Sequence, residues 1–459
     1  MSAWYEKAVF YHVYPLGLCG CSKENDYKGT GDGFERLNRL IEHMKIMNFG
    51  GIYIGPLFES LTHGYDTTDY KKVDGRLGTN DDFKKWVQRC HENGIRVVVD
   101  GVFNHTGRDF PAFKNLREQQ WESWGKDWYC QVDFNGQSSF GDPFSYESWR
   151  GFAQLPKLNM ANPQVKDYLL DVVRFWVDTF DIDGIRLDCA DVLDFDFMHR
   201  LRSLADEIKP EFWLMGEVIH GDYGRWVNKE TLHSVTNYEL HKGIFSAHNS
   251  HNYFEMAHSI RRLFDPNYGL CKDAHLYNFV DNHDVDRIYN KLENKKNLFP
   301  VYAFLYTIIG IPSVYYGSEF GISGCKADGG DDALRPAFDP WNFENPNPEL
   351  TAWIQKLGAI HRQCPELWDG KYEELFLTNR QYAYARVGRS GTGGDFCGRQ
   401  AVITILNNDT SAAEIDIRLP FHASSCMDLM DGSLVTLSDH AVHVTVEGNG
   451  ARIMRIFQE

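Results

Sequence analysis

Two hydrophobic periods alternate along roughly the first four fifths of the chain. Short runs with strand character recur at Val9 to Pro15, Ile52 to Leu57, Arg96 to Asp100, Asp183 to Asp188, Phe212 to Glu217, Ser234 to Asn237, His275 to Val280 and Pro312 to Gly317. Between them lie helical periods. Phe34 to Met47 presents Leu37, Leu40, Ile41, Met44 and Ile46 on one face, and Thr79 or Asn80 can cap a helix through Phe83, Trp86 and Val87 that stops at Gly94. Asn162-Pro163 opens a third helix, with Val165, Leu169, Val172, Val173, Trp176 and Phe180 inward and Lys166, Asp167, Arg174 and Asp178 turned elsewhere. Arg96-Val-Val-Val-Asp100 is nearly continuous in β-branched residues, as a parallel strand buried on both faces requires. Eight strand–helix units predict the α/β class and a (β/α)₈ TIM barrel rather than an open doubly wound sheet. No glycine-rich phosphate fingerprint follows the first strand.

The alternation lapses between Asn104 and Leu158, a stretch rich in Trp, Gly, Ser, Asp and Phe without a sustained period, which reads as an excursion inserted after the third strand. From Lys371 the texture changes again, to runs such as Ala401-Val-Ile-Thr-Ile-Leu406 broken by Gly, Asn and Asp, the pattern of antiparallel β structure. The expected division is therefore a catalytic barrel of residues 1–103 and 159–370, an inserted domain of 104–158 and a C-terminal β-sandwich of 371–459. Gly388 to Gly398 reads as a mobile hairpin loop.

Composition narrows the partners. A net charge of −17 disfavours nucleic acid and anionic membrane, both of which require a positive footprint, and leaves a neutral ligand as the easier one. Aromatic residues make up 14% of the chain, which suits a site that stacks rings on sugar faces. No basic segment followed by an apolar run opens the sequence, so a cytoplasmic protein is expected. The ten cysteines lack paired metal spacing and suit free thiols in a reducing compartment.

The candidate chemistry lies where such barrels carry it, at the C-terminal ends of the strands. The third strand ends in Asp100-Gly-Val-Phe-Asn-His105, the fourth in Arg186-Leu-Asp188, the fifth in Glu217 and the seventh in Asp281-Asn-His-Asp284. Arg186 beside Asp188 is either a structural ion pair or a device that orients a nucleophilic carboxylate. Asp188 and Glu217 are 29 residues apart, about one strand–helix unit, which places them on neighbouring strands facing one opening. Carboxyl groups so placed can reach the ~5–5.5 Å separation of retaining glycoside hydrolysis.

These segments resemble those of the α-amylase family, glycoside hydrolase family 13. Asp100 to His105, Gly184 to Asp188, Gly216-Glu217-Val and Phe279 to Asp284 match its four best-known regions in order, and Gly51 to Pro56 and Gly310 to Glu319 resemble two more. The resemblance implies Asp188 as nucleophile, Glu217 as acid/base and Asp284 as the third carboxylate, with Arg186 orienting Asp188. It implies His105, His283, Tyr65, Asp66 and His220 as substrate-binding residues and Asp100 as a structural group on the site floor.

Leu155-Pro-Lys-Leu-Asn159, together with Asp331 and Arg335, is similar to segments of the neopullulanase, cyclomaltodextrinase and maltogenic amylase group. In that group Asp331 and Arg335 would lie at the non-reducing end of the cleft. The chain opens on its first barrel strand, where that group carries an N-terminal domain used for dimerisation, and it has Ile219 where the group has Trp. Either a monomer or a homodimer is expected. The implied activity is retaining hydrolysis of α-1,4-glucosidic bonds in maltooligosaccharides and cyclodextrins. The alternatives are an α-glucosidase or glucanotransferase of the same chemistry and, from another class, an inactive sugar-binding protein. No cofactor is expected to be required; calcium, through Asn104 and Asp142, is the candidate ion. His241, His248, His251 and His258 lack a completing zinc spacing and read as surface polar residues. Trp121, Trp124, Trp128, Phe140 and Phe144 are the aromatics expected to wall the cleft.

Overall fold

A computed structural model describes residues 2–29, 31–272, 274–388, 400–420, 423, 425–437 and 440–457. Its strands, in chain order, begin with β1 (Phe10–Val13), β2 (Gly51–Ile54), β3 (Phe58–Ser60), β4 (Thr67–Val73), β5 (Arg96–Gly101) and β6 (Gly184–Leu187). They continue with β7 (Trp213–Gly216), β8 (Ser234–Val235), β9 (Tyr277–Phe279) and β10 (Ile311–Tyr315). Eight of them form one parallel sheet in the order β8-β7-β6-β5-β2-β1-β10-β9, and a parallel bridge from Thr236 to Tyr277 closes its two edges into the expected (β/α)₈ barrel. Strands β3 and β4 pair antiparallel as a separate hairpin on the loop after β2.

Side-chain alternation divides the barrel into an apolar floor and a charged top. Phe10, Tyr53, Val98, Trp213, Met215, Tyr277, Phe279 and Ile311 fill the interior, Phe10 lying 4.9 Å from Trp213 between ring centroids. One pleat further on, the same inward face carries His12, Asp100 and Arg186. Register at the lower rim is pinned by buried Asp183, whose carboxylate accepts from the Val97 N–H at 2.8 Å, Arg96 at 2.9 Å and His91 at 2.7 Å. Burial alone would raise its pKa, but His91, the Val97 N–H and the Lys209 charge outweigh it and hold it at about 2.

The helices follow their sequence signals closely. Thr79 rather than Asn80 caps Asn80–Glu92: it accepts from the Asp82 N–H while Asp82 accepts from the Thr79 N–H. Asn162 caps Pro163–Phe180, whose six expected apolar positions are all buried. Two positions differ. Ile46 is 40% exposed and Met47 takes its place in the core, because residues 37, 40, 44 and 47 keep to one face at 100° per residue whereas 46 does not. Lys166 is not turned to solvent; its stem is buried and its ammonium pairs with Asp194 at 2.7 Å and Asp196 at 2.5 Å.

The excursion after β5 is less irregular than expected. Pro111–Gln119 is a helix that buries Ala112, Phe113 and Leu116, a face too short to stand out as a period. An isolated bridge from His105 to Lys157 ties the two ends of the excursion together, and another from Tyr129 to Leu158 ties its middle to its end.

The C-terminal strands are β11 (Lys371–Leu377), β12 (Gln381–Val387), β13 (Ala401–Asn407), β14 (Ala413–Arg418), β15 (Ser425–Asp428), β16 (Leu434–Thr436), β17 (Ala441–Val446) and β18 (Gly450–Phe457). Six form an antiparallel sheet, and the β14–β17 ribbon packs on it through Ile415, Ile417, Val442 and Val446. This layer docks on the barrel's helices, where Thr307 Oγ1 meets the Tyr384 hydroxyl at 2.7 Å. The loop expected at Gly388 to Gly398 lies, but for Gly388, outside the described residues. No described helix is long and apolar enough to cross a membrane.

Candidate active site

Parallel register sets Asp100 of β5 opposite Arg186 of β6, and Arg186 opposite Met215 of β7. The ladder continues one residue past each strand end: the Asp188 N–H donates to Gly101 O at 3.1 Å and the Glu217 N–H to Leu187 O at 2.9 Å. The two acidic side chains are thereby presented side by side at the barrel rim. Buried Arg186 binds both of them. One guanidinium nitrogen donates to Asp188 Oδ1 at 2.8 Å and Asp100 Oδ1 at 2.9 Å, and the other lies 2.9 Å from Glu217 Oε2. Tyr53, whose hydroxyl burial keeps protonated, donates to Asp100 at 2.8 Å, which leaves Asp100 engaged beneath the site as expected.

Asp188, Cys189 and Glu217 bring ligand-type atoms within 4.8 Å of one another. A cation would have to displace the Arg186 guanidinium that already neutralises these carboxylates, so the cluster suits acid/base and nucleophilic work better than metal binding. Cys189 adopts a left-handed backbone (φ 48°) and ties the pair together: its N–H donates to Glu217 Oε2 at 3.1 Å and its thiol to Asp188 Oδ2 at 3.2 Å. The thiol itself is buried and pushed far up in pKa.

Glu217 is shifted to about 7. Burial is the largest cause, the Asp188 and Asp284 charges add to it, and Arg186 and the Cys189 N–H oppose it. A carboxyl held protonated near neutrality is a competent general acid. Deprotonation removes the proton to be donated, so kcat/KM is expected to fall about tenfold per pH unit above a midpoint near 7. A pH profile of the parent enzyme measures this limb. Its disappearance in Glu217→Gln would assign it to this residue, and its persistence there would remove the assignment.

Asp284 is set the other way. Burial pushes it up, but His283, Arg335 and Arg186 outweigh that and hold it well below the usual carboxylate range. Its oxygens meet His283 Nε2 at 3.1 Å and Arg335 Nη2 at 2.7 Å. Arg335 also contacts Asp331 at 3.4 Å, and Lys326 pairs with Asp331 at 2.8 Å, so a line of charges runs from Asp284 to the cavity mouth. Tyr65 stacks on His283 at 5.7 Å and hydrogen-bonds its Nε2. Burial lowers His105 to about 4, so its imidazole is neutral, and Nε2 has no protein partner while the ring lines the cavity.

The cavity above these groups measures about 580 Å³, within the range of small-ligand sites. Of the residues singled out from sequence, Tyr65, His105, Asp188, Glu217, Asp284, Asp331 and Arg335 line it. Arg186 and His283 lie immediately behind and position the lining groups. Asp66 is buried and spends its carboxylate on the Thr62 N–H and hydroxyl, bracing the loop that carries Tyr65. His220 is exposed and outside the lining.

The expected aromatic wall is corrected. Phe144 is buried in the core of the excursion, Trp121, Trp124 and Phe140 are more than half exposed, and neither these nor Trp128 line the cavity. Trp149, Phe152 and Leu155 do, with Trp149 and Phe152 stacked at 5.8 Å. Arg150, left-handed at φ 48°, turns the chain between the two rings. Tyr238 was also missed; its hydroxyl lies 3.5 Å from Glu217 Oε1 and accepts from Asn282 at 3.2 Å. The same applies to His12, stacked on Tyr53 at 4.3 Å beneath His283.

Of the calcium candidates, Asp142 accepts from both Arg108 terminal nitrogens at 2.8 Å, a pairing that a cation would have to displace, while Asn104 turns its amide nitrogen to His105 Nδ1 at 3.2 Å. The histidines downstream are not a cluster. His241 and His248 are buried rather than on the surface, one stacked on Phe279 at 4.9 Å and the other bonded to Ile244 O at 2.7 Å.

Comparison with known proteins agrees with this geometry. The family model described as the α-amylase catalytic domain matches residues 23–385, most of the chain. The chain belongs to the α-amylase family. A maltogenic α-amylase of Bacillus acidopullulyticus is 33% identical over 79% of this chain, and the chain spans 64% of that relative's length. A cyclomaltodextrinase of Thermoanaerobacter pseudethanolicus is 30% identical, with 89% of this chain and 71% of the relative covered. Among α-amylase family structures, a solved cyclomaltodextrinase superposes with a TM-score of 0.85 at 25% identity, covering 99% of this chain and 78% of that one. A cyclic α-maltosyl-(1→6)-maltose hydrolase from Arthrobacter globiformis gives 0.82 at 23% identity with 99% of both chains covered, a likeness of fold.

Proposed function

We propose that this protein is a retaining hydrolase of α-1,4-glucosidic bonds in maltooligosaccharides and cyclodextrins. The observation that carries the reading is the pair of carboxylates, Asp188 and Glu217, held by one guanidinium with ligand-type oxygens within 4.8 Å, one of them shifted to about 7. Carboxyl groups this close belong to the shorter of the two geometries of glycoside hydrolysis, in which the second carboxylate attacks carbon directly. Asp188 displaces the leaving oxygen from the anomeric carbon as Glu217 gives that oxygen its proton. Glu217, now a base, then takes a proton from the water that breaks the glycosyl–Asp188 bond. Asp284, Tyr65, His105 and Arg335 bind hydroxyls of the reacting sugar, Asp331 holds the far end, and His283 and Asp66 keep Asp284 and Tyr65 in place.

Two inversions at one carbon return the α configuration. Proton NMR of the first product, taken before mutarotation, is expected to show the α-anomer; an initial β-anomer would falsify the double displacement. The names of the similar relatives, maltogenic α-amylase and cyclomaltodextrinase, support oligosaccharides and cyclodextrins as substrates. The cavity, walled by Trp149, Phe152 and Leu155, suits a short chain or small ring. Compared per accessible chain, kcat/KM is expected to be several-fold higher on maltotriose or β-cyclodextrin than on soluble starch, with maltose and glucose as main products. Long oligosaccharides appearing first from starch would make it an endo-acting amylase instead.

The same reading divides the chain into a barrel of 1–103 and 159–370, an excursion of 104–158 and a β-sandwich of 371–459. It places the enzyme in the cytoplasm as a monomer or homodimer, working without a resident ion at Asn104 and Asp142.

A further inference from the structure

A second cavity, of about 410 Å³, lies on the excursion, lined by Trp121, Lys126, Gln131, Asp133, Phe134 and Asn159 among others, and shares no residue with the catalytic one. Its wall is an aromatic platform. Trp121 lies on Phe134 with centroids 4.2 Å apart and planes 29° from parallel, and Phe134 rests in turn on buried Phe144 at 5.8 Å. Trp121 is nevertheless 62% exposed. An indole held by stacking on Phe134 while most of its surface stays accessible offers an apolar surface to a ligand.

Two further features hold the platform ready. The Lys126 ammonium donates to the Trp121 carbonyl at 3.0 Å, which fixes a cation at its edge. Gln120 (φ 50°, ψ −114°), immediately before Trp121, and Gln131 (φ 53°), three residues before Phe134, both occupy backbone regions that side-chain-bearing residues rarely adopt. Strain of this kind persists where the surrounding structure over-determines it, as at ligand clamps. Lys126, Gln131, Asp133 and Asn159 surround the rings with donors and acceptors. A flat apolar face with polar groups at its margin matches a pyranose, whose axial C–H bonds form an apolar face and whose hydroxyls project equatorially.

We propose that this cavity is a second, non-catalytic binding site for an α-glucan segment, stacked on Trp121. The proposal rests on the α-glucan reading of the catalytic site. It gives the excursion two jobs, walling the reaction cavity with Trp149 and Phe152 and holding a second segment of substrate on Trp121.

The test uses the full chain carrying Asp188→Asn, which binds without turnover, titrated calorimetrically with maltotriose and with β-cyclodextrin. Two sites per chain are expected, of which adding Trp121→Ala removes one, with at least a tenfold loss of its affinity, while Trp121→Phe retains it more weakly. Gln131→Ala serves as a second probe of the same site should Trp121→Ala fail to fold, and is expected to weaken the same component. In the active enzyme Trp121→Ala is expected to leave kcat/KM on maltotriose within twofold. One site per chain, or two that none of these changes affects, overturns the proposal. So does a change of oligomeric state in Trp121→Ala with sugar binding intact, which would make the indole a protein contact. If the parent enzyme does not hydrolyse α-glucans at all, the catalytic reading fails instead, and the two failures are distinct.

Discussion

Asp188→Asn is expected to lower kcat on maltotriose by roughly 10⁴-fold or more, the scale seen when the attacking group of a covalent mechanism is removed. The amide keeps the shape of the carboxylate and one oxygen for Arg186, but its nitrogen has no lone pair free to attack the anomeric carbon. Arg186 retains Asp100 and Glu217 as partners, so the guanidinium is not left buried and unpaired. Far-UV circular dichroism and a thermal melt close to the parent's are therefore expected alongside the lost activity. A variant that keeps a tenth of parental turnover would remove Asp188 from the role of nucleophile.

Glu217→Gln is expected to cost about 10²–10⁴-fold on maltotriose, the usual range for loss of a positioned acid. The loss should depend on the leaving group. A sugar alkoxide cannot depart without a proton, whereas an activated aryl group can, so the first step on an aryl α-glucoside should be largely spared and the glycosyl-enzyme should accumulate as a burst. In Asp188→Asn no such sparing is expected, because attack on carbon is required whatever departs. Equal losses on both kinds of substrate in Glu217→Gln would reverse the assignment.

These expectations rest on features of unequal visibility in the sequence. The strands were legible because parallel strands buried on both faces are short apolar runs, and because the helices between them carry caps such as Thr79 and Asn162. The carboxylates were legible for a related reason. In a parallel barrel every strand ends on the same rim, so Asp188, Glu217 and Asp284 share one opening whatever the loops do. Ile46 and Met47 mark the limit of periodicity, since adjacent residues at a helix end differ by 100° and only the packing partner decides which is buried.

The excursion was the least legible part. Its aromatics are spread over Trp121 to Phe152, and composition cannot tell which face the cavity. The left-handed turn at Arg150 and the bridge from His105 to Lys157 decide that, and neither leaves a period. The Arg108–Asp142 pair spans 34 residues of irregular chain, so an acidic residue that suggested an ion turned out to hold a guanidinium.

Chain order and side-chain alternation alone thus determined the barrel, the rim that carries the chemistry and the residues that stand on it, because each depends on local period and on the common polarity of parallel strands. Only the tertiary structure decided what those residues are. Glu217 becomes an acid near neutrality through burial and through charges from two other strand ends, Asp284 is held ionised by its neighbour His283 together with Arg335 from beyond β10 and Arg186 from β6, and Asp66 and His220 stand outside the cavity that their neighbours line. A pKa and a cavity are sums over groups distant in sequence, and such sums exist only once the chain has folded.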